Sequence, residues 1–148
     1  MRKVSVLSYR MTTADSNNPQ GIVPIGRQFD FWGDAETELM ILNDGDESLC
    51  LGYNDVSFKE DIFVGEQLDF KATLIKVGNT SRTCRVQTFK VASPAKRIGI
   101  EGAKDTDMFY YDKPKLVGEG TVVLVVKKEL QRGQQPDGII VDPWKDID

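Results

Sequence analysis

One stretch constrains the architecture more than any other. Across residues 25–42 the side chains of Ile25, Phe29, Trp32, Leu39 and Met40 recur at helical spacing and form a single apolar stripe. It is the one convincing helical pattern in the chain, and NDGD (43–46) ends it with turn chemistry. Strand patterns fill most of the rest. KVSVLSYRM (3–11) is rich in β-branched and aromatic residues, and SLCLGYNDVSF (48–58) reads the same way. LDFKATLIKV (68–77) alternates, with Leu68, Phe70, Ala72 and Leu74 on one face. GNTS (78–81) is a hairpin turn leading into RTCRVQTFKVA (82–92). LVGEGTVVLVVKK (116–128) is the strongest strand, and its VVLVV run implies burial on both faces. SPAKRIGIEGAKDTDMFYYDKPK (93–115) reads as a long loop of weak periodicity, a length that usually means function.

One helix cannot cover both faces of such a sheet. The economical fold is therefore α+β, an antiparallel curved sheet of about five strands wrapped around one long helix. The uncovered face favours oligomerisation. Residues 1–130 make this single domain, and residues 131–148 form a C-terminal tail. Within the tail, IIV (139–141) and Trp144 are expected to dock on the body or on a neighbouring subunit.

Composition excludes several classes of function. The chain has 148 residues, enough for one real core. No apolar run approaches the roughly 20 residues that span a bilayer, and Ser5, Ser8, Tyr9 and Arg10 interrupt any signal-peptide core. A cytoplasmic protein with no membrane partner is expected. The net charge of −4 argues against nucleic-acid binding. Cys50 and Cys84 sit in strand patterns and read as two buried free thiols. With no CxxC and no histidine, no metal centre is expected.

The missing histidine also removes the usual proton-transfer group near neutral pH. Attention falls on FWGDAETELM (31–40), where Asp34, Glu36 and Glu38 crowd one part of the helix. At about 100° per residue, Asp34 and Glu38 share a face. Glu36 points nearly the opposite way, into the stripe of Phe29, Trp32 and Met40. A solvated polar face accounts for the pair. A carboxylate on an apolar stripe must instead find a partner or raise its pKa.

The block WGDAETELMILNDGDESLCLGYNDVSF (32–58), followed by VGE (64–66) and KVGNTSRTC…KVA, resembles the β-alanyl-CoA and 3-aminobutyryl-CoA ammonia lyases of amino-acid fermentation. These are hotdog-fold proteins, and the element order agrees. The similar parts run from about residue 14 to 92 and resume at PKLVGEGT and KKELQRG. The resemblance implies an enzyme acting on acyl-CoA thioesters, with coenzyme A part of the substrate and no other cofactor. It implies a homodimer or a higher homo-oligomer, such as a trimer of dimers, with active sites at subunit interfaces. The helix N-terminus would face the thioester carbonyl, where free N–H groups and the helix dipole stabilise an enolate oxygen. Gly26 and Arg27, in IGRQ, would supply that contact.

The segment before the helix departs from the lyase pattern. There the lyases resemble DAHYxGNLVxGA, whereas this chain has DSNNPQGIVPIG (15–26), with Asn17 and Asn18 in place of His–Tyr. NPQG (18–21) is instead similar to the Asn-x-x-Gly of hotdog acyl-CoA thioesterases, whose helix acid falls near Gly33 or Asp34 here. The resemblance makes Glu38 and Asp34 the leading catalytic candidates and adds Asn18, while Glu36 is a further candidate from its place on the apolar stripe. Asn79 and Ser81 are candidates for pantetheine. Arg82, Arg85, Lys90, Lys96 and Arg97 are candidates for the CoA phosphates, with solvated strand charges as the alternative. MFYY (108–111) reads as loop packing rather than an adenine platform, and GEG (118–120) as a bulge or close backbone approach rather than a phosphate loop. The expected function is a β-aminoacyl-CoA ammonia lyase. The alternatives are an acyl-CoA thioesterase and a non-catalytic acyl-CoA-binding or structural hotdog protein.

Overall fold

The helix forms where the apolar stripe predicts it. In the computed structural model, which describes residues 1–136, α1 spans Ile25–Asp44. Pro24 occupies the N-cap with φ −58°, so the entry is set by its ring and not by a capping side chain. Gly45 ends the helix in the left-handed region at φ 72°, and its N–H donates to the Ile41 carbonyl at 2.8 Å. Trp32, Ala35, Leu39 and Met40 are fully buried against the sheet. Ile25 leaves the expected stripe, being 53 % exposed on the first turn. Phe31 takes up the packing on the flank toward the first strand, stacking on Phe70 and tilting against Tyr9.

Five strands follow the predicted order: β1 (Val4–Arg10), β2 (Leu49–Phe58), β3 (Gln67–Val77), β4 (Ser81–Pro94) and β5 (Met108–Val125). They pair antiparallel in the spatial order β1-β3-β4-β5-β2. Along β4, Arg82, Cys84, Val86, Thr88 and Lys90 are buried beneath α1, and the residues between them reach the outer face. The helix lies over β1, β3 and β4. The gap to β2 is bridged by side chains, with Phe29 edge-on to Tyr53 and Phe58 and Trp32 stacked on Phe58.

Three sequence expectations change. The VVLVV run is buried on one face only: Val122 and Leu124 point into the core, while Val123 and Val125 reach the half-exposed outer face. Single-sided packing by one helix forces this alternation. MFYYDKPK is strand and not loop. β4 continues to Pro94, so Met108, Phe109 and Tyr110 find partners in Pro94, Ser93 and Ala92. The excursion shrinks to residues 95–107. Cys84 is buried, but Cys50 is exposed because it lies on the β2 edge.

One row across the sheet matters for the site. Leu7, Phe70, Thr88, Gly118 and Phe58 stand side by side in register. Gly118 leaves a niche in that row, and Gln28 fills it from the helix: a Cβ at residue 118 would lie 2.5 Å from Gln28 Oε1. Gly120 is likewise approached by Val56, at 3.1 Å from where a Cβ would stand. The GEG segment is thus a close-approach element, with a register shift beside Gly118.

At the far end of α1, Arg82 is buried against Asp44, donating to both carboxylate oxygens at 2.9 and 3.0 Å. Its remaining donors reach the carbonyls of Gly78 and Ser81. Arg132 and Gln135 donate backbone N–H groups to the carbonyls of Asp44 and Leu42, satisfying helix-terminal acceptors. The expected docking of residues 139–141 and Trp144 lies outside the described residues. Among the described residues, no helix is long and apolar enough to cross a membrane.

Breaking the Asp44–Arg82 pair from one side should be costly. Arg82→Met is expected to lower stability by about 3–5 kcal/mol in urea unfolding, because Asp44 is left buried and unpaired. The double variant Asp44→Leu/Arg82→Met should recover most of that loss.

Candidate active site

The N-terminal end of α1 is built by two loops that hold each other. Val23 N–H donates to the Ile62 carbonyl at 2.7 Å, and Val64 N–H to the Gly21 carbonyl at 2.8 Å. Gly21 adopts φ 72°, which glycine reaches without strain. Asn18 closes this loop with both ends of its carboxamide: Nδ2 donates to the Ile22 carbonyl at 2.8 Å, and Oδ1 accepts the Ile22 N–H at 3.0 Å. Its hydrogen-bonding groups are therefore engaged in holding the loop. Asn17 is exposed beside it.

Past this loop the first helical turn is open. It has no acidic residue and no side-chain cap, and Gly26 is exposed with empty space where a side chain would project. A cleft of about 440 Å³ opens there between Ala14, Asn17, Gly26, Arg27 and Asp30. Arg27 is fixed on its wall, donating to Asp15 at 2.7 Å and Asp30 at 2.9 Å and lying 4.5 Å above the Phe31 ring. Burial pushes the Asp15 carboxyl up, but the Thr12 N–H and Arg27 outweigh it and hold the group below its usual range. A second cleft, of about 330 Å³, lies between α1 and the end of β2, with Val23, Ile25, Gln28, Phe58 and Ile62 as walls.

The three helix acids are divided between opposite flanks. Asp34 and Glu38 face β1: Tyr9 Oη donates to Asp34 at 3.3 Å and Ser5 Oγ to Glu38 at 2.9 Å. Asp34 is exposed and Glu38 half-buried. Glu36 faces β2 and is only 2 % exposed. Tyr53 Oη lies 2.6 and 3.0 Å from its two oxygens. Burial raises the Glu36 pKa to about 7, with the Tyr53 hydrogen bond opposing the shift. Burial and the neighbouring Glu36 raise Tyr53 in turn, and push the Cys84 thiol up to about 12.

The CoA-binding candidates scatter. Asn79, Ser81 and Arg82 lie at the C-terminal end of α1, where Arg82 meets Asp44 and Gln131 donates to the Asn79 carbonyl. Over a 20-residue helix that is roughly 30 Å from the open N-terminus. Arg82 is an internal ion-pair residue and not a surface cation, because its guanidinium is consumed inside the chain. Arg85 pairs with Glu119 at 2.6 Å on the outer face of the sheet. Lys96 pairs with Asp105 on the excursion. Arg97 is brought to the helix N-terminal end, over the Phe63 ring at 3.9 Å and 2.9 Å from Glu66. Lys90 is buried there too, bonded to Glu60, Glu66 and the Asp61 carbonyl.

Three residues of this region escaped the sequence reading. Glu66 is completely buried, gathering the Phe63 N–H, Lys90, Ser93 and Arg97. Tyr53 partners Glu36. Gln28 lies one helical turn before Trp32 and is buried, a polar residue on the core side that the helical wheel would have exposed by the logic applied to Glu36.

A single helix over an antiparallel sheet, with an open helix N-terminus flanked by clefts, defines a hotdog-fold protein. The comparisons carry this further. No protein-family model matches the chain. A 3-aminobutyryl-CoA ammonia lyase of Acetoanaerobium sticklandii is 34 % identical over 128 residues, which is 86 % of this chain and 98 % of that protein. The structure of β-alanyl-CoA:ammonia lyase from Clostridium propionicum superimposes with a TM-score of 0.81 at 36 % identity, covering 90 % of this chain and 92 % of that one. A hexameric hotdog-fold thioesterase of Campylobacter jejuni shares the fold at a TM-score of 0.63 and 17 % identity, covering 88 % of this chain and 89 % of that one. This chain belongs to the family of the 3-aminobutyryl-CoA and β-alanyl-CoA ammonia lyases.

Glu36 gives the site a pH signature. A carboxyl whose folded pKa lies above its unfolded value stabilises the fold fully at acidic pH and loses that contribution as pH rises through about 7. The loss is on the order of 3 kcal/mol. Thermal melting should therefore show stability falling from about pH 4.5 to about pH 7 and levelling off above it. Glu36→Gln, which keeps a partner for Tyr53 without the charge, should flatten that slope and melt higher than the parent at the alkaline end.

Proposed function

We propose that this chain catalyses the elimination of ammonia from a β-aminoacyl-CoA, or the reverse addition to an enoyl-CoA. The observation that carries the reading is the 34 % identity to a 3-aminobutyryl-CoA ammonia lyase over 98 % of that protein's length. In the forward direction a base takes the proton α to the thioester carbonyl. The released electron pair forms the carbon–carbon double bond as the carbon–nitrogen bond breaks, and the departing ammonia recovers the proton as ammonium. The open first turn of α1 offers backbone N–H groups to the carbonyl oxygen as it gains enolate charge.

Glu38 and Asp34 are the carboxylates open to a ligand, each oriented by one hydroxyl, whereas Glu36 is closed in behind Phe29 and Tyr53. Asp34 stands eight residues beyond Gly26, roughly 12 Å along the helix. The α-carbon and carbonyl of one substrate are adjacent atoms, so a single copy cannot hold them with both groups. A site joining the helix N-terminus of one copy to a carboxylate of another removes the conflict. Among the described residues the sheet has two unpaired edges that supply surfaces for such an assembly, with Val4 and Val6 exposed on β1 and Leu49 and Leu51 on β2. The homo-oligomer is thus part of the proposed active form. The reaction asks for no metal or added cofactor, and acyl-CoA is the partner small molecule.

The thioesterase alternative rested on Asn18 acting on water or carbonyl. Its carboxamide is occupied by Ile22, which weighs against that reading.

Purified protein mixed with crotonyl-CoA or acryloyl-CoA and ammonia should lose enoyl absorbance without releasing free thiol. Thiol release would make the protein a thioesterase, and neither signal with binding retained would make it non-catalytic toward these thioesters. Glu38→Gln and Asp34→Asn are expected to lower kcat by about 10²-fold or more. Glu36→Gln should stay within about tenfold of the parent, as a residue outside direct proton transfer. The reverse ranking would pass the role of base to Glu36.

A further inference from the structure

Gln28 is 3 % exposed, yet its Oε1 has no hydrogen-bond partner. Burying a carbonyl oxygen without a donor is unfavourable, and native structures rarely tolerate it without a reason. The residue also lines the cleft between α1 and the end of β2. Its neighbours there, Val23, Ile25, Phe58 and Ile62, are apolar, so they suit a short aliphatic chain and offer it no side-chain hydrogen bond. The rim carries Lys59, Glu60 and Asp61, with Glu60 already bonded to Lys90 and Lys115. The niche at Gly118 makes the arrangement possible, since any Cβ there would strike the Gln28 carboxamide. Beside Gly118 in register stands Thr88, buried with its own hydroxyl oxygen unpartnered.

We infer that Gln28 is a substrate-binding residue whose carboxamide oxygen accepts a hydrogen bond from an N–H donor of the acyl-CoA seated in this cleft. The inference rests on the proposed ammonia-lyase reading for the identity of its ligand. The terminal torsion of a glutamine is broad and two-fold. A half-turn therefore presents Oε1 to the cleft and directs the amide N–H groups toward Gly118 and Thr88, whose hydroxyl can accept. A β-aminoacyl-CoA carries N–H donors of three kinds, the β-ammonium of the acyl group, the two amides of the pantetheine arm and the amino group of adenine, and the first two lie on the acyl side of the molecule. The ammonium carries three donors and no acceptor, so the Gln28 carbonyl oxygen can take one of them while the carboxylates of Glu60 and Asp61 at the rim face its charge. The same contact would distinguish a β-amino chain from an unsubstituted one, because only the former satisfies Gln28.

The test compares two unreactive thioethers, S-(3-aminobutyl)-CoA and S-butyl-CoA, bound to the parent and to Gln28→Leu by calorimetry. Both ligands carry the pantetheine amides and only one carries the amine. A loss of tenfold or more for the amino ligand, with S-butyl-CoA changed less than twofold, places the β-ammonium on Gln28. An equal loss for both places a pantetheine amide there. No loss for either, in a variant that melts like the parent, overturns the inference. Gln28→Met, which keeps the length and removes the amide, repeats the comparison if Leu disturbs packing. Turnover of crotonyl-CoA with ammonia is measured separately on the parent. If the parent fails that assay while Gln28→Leu still loses the amino thioether selectively, the lyase reading falls and Gln28 stays as the amine contact.

Discussion

The rest of the structure depends on one helix having to bury its apolar face against one concave sheet. Trp32, Leu39 and Met40 of α1 are completely buried against the sheet, and each such side chain contributes about 1.5–3 kcal/mol by leaving water. With one helix and five strands the coverage is unequal. The helix sits over β1, β3 and β4, and only the reach of Phe29 and Trp32 to Tyr53 and Phe58 closes the β2 side. That offset explains why the first helical turn stays open and why a cleft forms beside Phe58.

Polar groups then fix what apolar burial leaves loose. At one end of α1 the Asp44–Arg82 pair ties the last turn to the start of β4. At the other, Glu66 draws the backbone of Phe63, Lys90 and Arg97 together and so stiffens the loop that floors the second cleft. Midway, Tyr53 reaches Glu36. These are buried and hydrogen-bonded, so each costs more to break from one side than it contributes when whole. Their value here is positional, because they hold the helix N-terminus and its two clefts in one geometry.

Much of the fold is legible in the sequence because periodicity is a local property. The helix, the five strands (β5 only from residue 116 onward) and the turn at NDGD follow from spacing alone, and the wheel already separates Glu36 from Asp34 and Glu38. The misreadings share a cause. MFYYDKPK shows no strand signal until β4 extends far enough to pair with it. VVLVV looks buried on both sides until the single helix is seen to cover one face. Cys50 looks buried until β2 proves to be an edge. Each depends on what lies across the sheet, which no window of sequence contains.

The site divides along the same line. The sequence by itself determined the family, through the long WGDAETELM…DGDESLCLGY block, and the presence of carboxylates in a chain without histidine. It also put Gly26 and Arg27 at the head of the helix. Only the tertiary structure decided that Arg82 is spent on Asp44, that Asn18 closes its own loop, that Tyr53 answers Glu36, and that Gln28 lies unpartnered over Gly118. The reason is physical: residue type and spacing set which face a side chain takes, but the donor or acceptor that meets it there is supplied by strand register and helix placement.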